Sequence, residues 1–264
     1  MSPPNLEAEL AAAKAYEALF VPALFGRWAA RVVDAANLVA GQSVLDVACG
    51  TGVLAREVLA GPTGYVAGLD PSAGMLAVAK KLSPSVDWRL AMAESMPFTD
   101  TSFDAVVSQF GLMFMDCDRA IHEMLRVLKP NGLLVVAVWD TVQHIPAYAA
   151  EIVLLERVAG THAADALRAP FVLGDRERLA ETFNDAGAKS VVITTPNGVA
   201  QFPSIRVMVE ADLRGWLPVK GVNLPEELIS RILAEAEEVL APYVTDDGRV
   251  RFDAPAHIVT ARKR

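Results

Sequence analysis

Apolar runs of strand length alternate with stretches of helical apolar spacing through the first half of the chain, and this alternation limits the fold more than any other feature. The strand-like runs are Ser43 to Cys49, Gly64 to Leu69, Val86 to Leu90, Phe103 to Gln109 and Leu133 to Trp139; helical patterns start near Gly52, Ser72 and Cys117. Strands joined through helices pair in parallel, and the sheet they form is covered on both faces. An α/β fold built on a parallel sheet is therefore expected.

Local signals mark the element ends. From Cys117 to Lys129, the residues Ala120, Ile121, Met124, Leu125 and Leu128 share one helical face, while His122, Glu123, Arg126 and Lys129 point away. Lys129-Pro130-Asn131-Gly132 should stop that helix, since proline cannot continue it and glycine tolerates a tight turn. Residues 6 to 38 read as two helices broken at Pro22. After Trp139 the reading is a helix from Pro146 to Val158, a loop, a helix from Asp175 to Ala186, and strands at Lys189 to Thr195 and Phe252 to Arg262. A largely helical insertion from Ser204 to Tyr243 separates those strands, with a helix start at Pro225, Glu226 and Glu227.

A chain of 264 residues suits one α/β domain, and its longest apolar run, Leu133 to Trp139, is too short to cross a membrane. The start Met1-Ser2-Pro3-Pro4-Asn5 lacks the pattern of an export signal, so a cytoplasmic protein is expected. The formal charge of −8 weighs against nucleic acid and for a small-molecule partner. Cys49 and Cys117 read as free thiols. His122-Glu123-Met124-Leu125-Arg126 misses the H-E-x-x-H zinc pattern at its last position, and no metal is expected.

The chemistry concentrates at the first strand-to-helix turn, Asp46-Val47-Ala48-Cys49-Gly50-Thr51-Gly52. Glycines here let the backbone approach a ligand at a helix N-terminus, and Asp70 follows at the distance of a ribose-binding acid. Gly50 to Ala55 alone also satisfies the dinucleotide fingerprint, which leaves nicotinamide and adenosylmethionine cofactors both open. Asp46 separates them in part: a carboxylate inside an apolar strand needs a partner, which a cationic ligand supplies and a pyrophosphate does not. The competing role for Asp46 is to cap nearby backbone N–H groups.

Taken together the motifs resemble the class I S-adenosylmethionine-dependent methyltransferases of the ubiquinone/menaquinone-biosynthesis type, in their small-molecule branch. The resemblance rests on Asp46 to Gly52, on Gly68-Leu69-Asp70-Pro71-Ser72 with Met75-Leu76, on Ala93-Glu94-Ser95-Met96-Pro97-Phe98 with Phe103 to Val107, and on Arg126 to Gly132. It implies a seven-stranded, mostly parallel, doubly wound Rossmann-like sheet, S-adenosylmethionine as cofactor and S-adenosylhomocysteine as product. It also implies a cofactor site of Asp46, Cys49, Gly50, Thr51, Gly52, Asp70, Pro71, Met75, Ala93, Glu94 and Gln109. Within it Asp70 would hold the ribose hydroxyls, Met75 would pack beside the adenine and Gln109 would face the reaction centre. Two residues depart from the pattern: Ala48 replaces a glycine, and Met92 stands where many members place an acid, so the Ala93 backbone is expected to read the adenine.

The organisation expected from this resemblance is N-terminal helices over 1–40, a cofactor-binding core over 41–140, and substrate-cap insertions over 141–173 and 204–248. Tyr16, Phe20, Trp28, the segment Trp139 to Tyr148 and the later insertion are the candidates for the acceptor pocket. His144, with Asp140 to orient it, is the candidate general base, because an imidazole with a pKa of about 6.5 titrates near working pH. The expected activity is methyl transfer to oxygen or carbon of an apolar phenol, quinol or other secondary metabolite. An NAD-type oxidoreductase and a cofactor-binding protein without turnover are the alternatives. Neither the acceptor nor the oligomeric state is legible.

Overall fold

The computed structural model describes residues 6–263; the Met1 to Asn5 start, on which the export reading rests, lies outside them. In chain order the helices are α1 (Leu6–Ala15), α2 (Gly26–Ala36), α3 (Val53–Ala60), α4 (Ala73–Leu82), α5 (Cys117–Val127), α6 (Pro146–Ala159), α7 (Thr161–Arg168), α8 (Arg176–Asp185), α9 (Ile205–Ala211), α10 (Leu217–Val219) and α11 (Glu226–Val239). The strands are β1 (Ser43–Val47), β2 (Tyr65–Asp70), β3 (Asp87–Leu90), β4 (Phe103–Gln109), β5 (Leu128–Trp139), β6 (Lys189–Thr194), β7 (Val199–Phe202), β8 (Val250–Asp253) and β9 (Ala256–Arg262).

Seven strands form one sheet in the order β3-β2-β1-β4-β5-β9-β6, and β7 pairs with β8 in a separate ribbon. Strands β1 to β5 are parallel, while β9 runs antiparallel to β5 and β6 antiparallel to β9. The doubly wound, mostly parallel fold expected from the motifs is thus present. Its central strands are buried on both faces: Val44, Leu45, Val106, Val107 and the run Leu134 to Val138 have no exposure. Apolar runs, rather than alternating ones, are what such strands require.

Several boundaries differ from the sequence reading. Pro22 does not break a helix but lies inside a π-helical segment, Tyr16–Phe25, that joins α1 to α2; the wider winding takes up a residue that has no N–H to give. Helix α5 ends at Val127, before the proline turn, and β5 begins at Leu128 with a register shift against β4. Glu123 and Arg126 do not simply face solvent: the Arg126 guanidinium donates to the Phe98 and Met96 carbonyls and pairs with Glu123 and Asp100. Helix α7 occupies what reads as a loop, and the terminal strand is two, β8 and β9, divided at Ala254-Pro255. Among the described residues no helix is long and apolar enough to cross a membrane.

Candidate active site

The strand order reverses between β1 and β4, and ligands of open α/β sheets bind at the carboxyl ends of strands at such a point. The backbone there is unusual. Ala48 has φ of 55° after β1, Phe110 has φ of 55° after β4, and Gly50 and Gly52 have φ of 53° and 85°. Left-handed alanine and phenylalanine cost energy that glycine avoids, and such strain gathers at functional sites. At Gly52 a side chain is excluded twice over, by φ and by Trp88, whose ring would lie 2.5 Å from an added Cβ.

Two acids frame the turn. Asp46 is 1% exposed; its Oδ2 accepts the Ala55 N–H of α3 at 2.9 Å, while its Oδ1 is buried without a partner. Burial pushes the Asp46 carboxyl well above the usual carboxylate range, against the pull of the Ala55 N–H, and the nearby Asp70 adds to the rise. Asp70, at the end of β2, accepts the Gly50 N–H at 2.9 Å and the Ser72 N–H at 2.9 Å. Its carboxyl is also raised by burial, with those two donors opposing. Capping by Asp46 is therefore real for one oxygen, and the other is left over.

A roof covers the turn. The Tyr16 ring packs within about 4 Å of where a Gly50 side chain would begin, and it stacks on Phe25 at 5.3 Å. Burial of the Tyr16 hydroxyl, followed by the charges of Asp70, Glu17, Asp46 and Cys49, raises its pKa. Glu17 pairs with Arg56 of α3 at 2.7 Å, and Arg56 also donates to the Thr51 carbonyl at 2.7 Å. Gln109 donates through Nε2 to the Phe25 carbonyl at 3.1 Å. Four polar atoms around this turn and roof are buried without partners: Asp46 Oδ1, Thr51 Oγ1, Gln109 Oε1 and Glu17 Oε2. Gln109 Oε1, and Asp46 Oδ1 and Glu17 Oε2 when ionised, only accept hydrogen bonds, and none carries positive charge. That donor-hungry lining fits a ligand with an ammonium, a sulfonium and ribose hydroxyls, and it is the wrong sign for a pyrophosphate.

The other expected cofactor residues lie on adjoining loops. Ser72 caps α4, accepting the Met75 N–H at 3.2 Å; Pro71 is exposed and Met75 half-buried beneath α1. Ala93 is buried, on a loop fastened by Glu123 and Arg126. Glu94 accepts the Asp116 N–H at 2.9 Å with Oε1, so half of it braces the start of α5, while its Oε2 is a further buried atom without a partner. Cys49 is a buried thiol whose pKa burial raises, and both cysteines are free. Met92 is exposed.

The β5 end carries a separate pair. Asp140, 6% exposed, accepts from His144 Nδ1 at 2.8 Å with Oδ2 and from the Thr141 N–H at 2.7 Å with Oδ1. Nδ1–H faces the carboxylate, which leaves the exposed His144 Nε2 with its lone pair. Asp140 Oδ1 also lies 3.3 Å from Nε2 of the buried His257, which donates to the Gly174 carbonyl and accepts at Nδ1 from the Thr195 hydroxyl. Asp140 thus holds the His144 ring through Nδ1; among the described residues no hydrogen bond joins this pair to the glycine turn. Sequence reasoning missed Glu17, Phe110 and His257. Only His257 left a signal, a polar residue in an apolar terminal strand.

A family model described as a methyltransferase domain matches residues 45–136, from β1 into β5. The demethylmenaquinone methyltransferase of Paenarthrobacter aurescens is 35% identical over 187 residues, 65% of this chain and 72% of that protein. The demethylmenaquinone methyltransferase of Renibacterium salmoninarum is 49% identical over 112 residues, 42% of this chain and 47% of that protein, so this chain spans about half of that relative. In fold the chain resembles the YcgJ protein of Bacillus subtilis, with a TM-score of 0.60 at 19% identity, covering 90% of this chain and 99% of that one.

Proposed function

The chain belongs to the class I S-adenosylmethionine-dependent methyltransferases of the ubiquinone/menaquinone type, and from that premise we propose that it methylates an apolar small molecule, at oxygen or carbon of a phenol, quinol or related ring. The observation that carries this reading is the acceptor-rich lining of the glycine turn, with Asp46 Oδ1, Thr51 Oγ1 and Gln109 Oε1 buried and unanswered.

Asp46, Cys49, Gly50, Thr51, Gly52, Asp70, Pro71, Met75, Ala93, Glu94 and Gln109 would hold the cofactor. When bound, it supplies an electrophilic methyl group. The chain's own task is to position the acceptor in line with that group and to exclude water, which needs no covalent intermediate. The aromatic cluster of Tyr16, Phe20, Phe25, Phe110 and Trp139 supports an apolar pocket wall beside the turn. For a hydroxyl acceptor, His144 Nε2 takes the proton while Asp140 fixes the ring through Nδ1.

Residues 141–173 and 204–248 serve as the substrate cap of a single catalytic domain. The net charge of −8 supports a small molecule over a polyanion as partner, and the proposed place of work is the cytoplasm. Calorimetry with S-adenosylhomocysteine and with NAD tests the cofactor, and a screen of quinols and phenols for adenosylhomocysteine release tests the acceptor. Binding of NAD without S-adenosylhomocysteine overturns the reading.

A further inference from the structure

The insertion helices carry two buried carboxylates, and among the described residues three of their four oxygens are buried without a hydrogen-bond partner. Glu151 has no exposure and Asp212 has 3%. Both Glu151 oxygens and Asp212 Oδ2 are buried without hydrogen-bond partners. Glu151 sits one turn after Tyr148 on the face of α6 that buries Ala147, Ile152 and Leu155. Asp212 begins a π-helical turn, Asp212–Trp216, that continues α9. Such wide turns inside helices occur frequently at functional positions. The two groups lie near enough to each other and to Tyr148 for their charges to be felt mutually, and burial keeps both carboxyls well above the usual range.

The arginines Arg157, Arg168 and Arg214 of these segments are engaged elsewhere. Arg157 pairs with Glu235, Arg168 with Asp165, and Arg214 with Glu226. Unpaired carboxylates in an apolar setting are costly, so a pair kept at such a place is expected to have a partner that arrives from outside. Three unanswered oxygens match the three N–H donors of a primary ammonium, and the Tyr148 ring adds a face that attracts cations. A metal ion is a poorer match, since the described residues contain no group of three or more ligating side chains.

The pair also connects to the glycine turn. Tyr148 meets Phe252 at 5.6 Å, Phe252 stacks on Phe202 at 6.4 Å, Phe202 meets Phe20 at 6.3 Å, and Phe20 meets Tyr16 at 6.1 Å. An aromatic seam thus runs from the carboxylates to the roof over Gly50. We propose that Glu151 and Asp212 bind an ammonium group of the methyl acceptor, whose apolar body lies along this seam toward the reaction centre. The identity of the ligand as methyl acceptor rests on the methyltransferase reading; the recognition of an organic cation does not.

The test uses the full chain with phenethylammonium and its neutral counterpart 2-phenylethanol, titrated by calorimetry at pH 7.5 into wild type, Glu151→Gln and Asp212→Asn. S-adenosylhomocysteine binding is measured in parallel. The wild type is expected to bind the ammonium at least tenfold more tightly than the alcohol. Each variant should lose that preference while binding S-adenosylhomocysteine and 2-phenylethanol within twofold of wild type. Equal wild-type affinity for the two probes overturns the proposal, as does ammonium binding that survives both substitutions, which would make the pair a proton-sharing strut. Should a variant fail to fold, the wild-type comparison decides alone. A wild type that prefers the ammonium yet does not bind S-adenosylhomocysteine refutes the methyltransferase reading and leaves the cation site standing.

Discussion

Asp46 and Asp70 at the glycine turn are buried about as deeply as Glu151 and Asp212 in the insertion, yet among the described residues only the first two find hydrogen-bond donors. The difference follows from where each pair sits. A carboxylate at a strand end faces the start of the next loop or helix, where backbone N–H groups have no intrahelical partner. Ala55, Gly50 and Ser72 supply such donors. A carboxylate in mid-helix meets N–H groups already used by the helix, and Glu151 is in that position. The acids of the turn therefore brace the backbone around them in a way that those of the insertion do not.

The largest effect expected from this contrast lies between the two regions, at the β5 end. With a hydroxyl acceptor, His144→Gln should lower kcat about 100-fold or more and leave S-adenosylmethionine affinity unchanged; turnover near wild type would remove His144 from the chemistry. Asp70→Ala comes next. It removes the acceptor of two backbone N–H groups, so the ligand-free protein should lose about 2 kcal/mol of stability, read by urea unfolding. S-adenosylhomocysteine affinity should fall by more, about 100-fold or roughly 2.7 kcal/mol. A stability loss that equals or exceeds the binding loss would make Asp70 chiefly structural and erase its dual role.

Glu151→Gln should act in the opposite direction on stability. Because burial raises the Glu151 carboxyl in the folded state, the folded chain holds a proton that the unfolded chain releases above about pH 4.3. Wild-type stability should accordingly fall as pH rises above that value and through the raised folded pKa, and the glutamine variant should lack that share of the decline. At pH 8 the variant is expected to gain about 1 kcal/mol, the low end for relieving a buried ionic group; at pH 4 the two should nearly coincide. A variant less stable than wild type at pH 8 would show that the pair is satisfied after all. The smallest effect is Ala48→Gly, which relieves a left-handed alanine but loosens the unfolded chain, for a net gain of under about 1 kcal/mol in the melting transition.

The same contrast explains what was legible in the sequence. Strands β1 to β5 and the turn from Asp46 to Gly52 stand out because continuous apolar runs, glycines and a lone acid are local signals. Glu17 and the Glu151–Asp212 pair are not local: Glu151 is one charge among several on α6, and only the fold reveals that its face is the buried one. Pro22 misleads because a proline within a π-helical winding reads like a helix break. The β7–β8 ribbon escapes notice since each strand has four residues, and β8 runs on to β9 across only Ala254-Pro255. His144 and Asp140 were found by position alone, four residues apart after the last parallel strand, and their 2.8 Å contact gives that position a geometry.

The roof of Leu6–Phe25 has a consequence for the timing of turnover. Tyr16 packs over Gly50, Glu17 holds Arg56, and α1 presses its Glu9 backbone so close to α4 that a side chain at Gly74 would meet it at 2.5 Å. A ligand that reaches the turn past Tyr16 has to wait for this segment to lift. Closure over the empty and the occupied turn alike slows entry and escape together and leaves the affinity unchanged. Because one fastening is an ion pair between groups about a quarter exposed (26% and 23%), added salt should quicken both entry and escape. Exchange of spent for fresh cofactor, rather than the bond-making step, is then expected to set the pace of turnover.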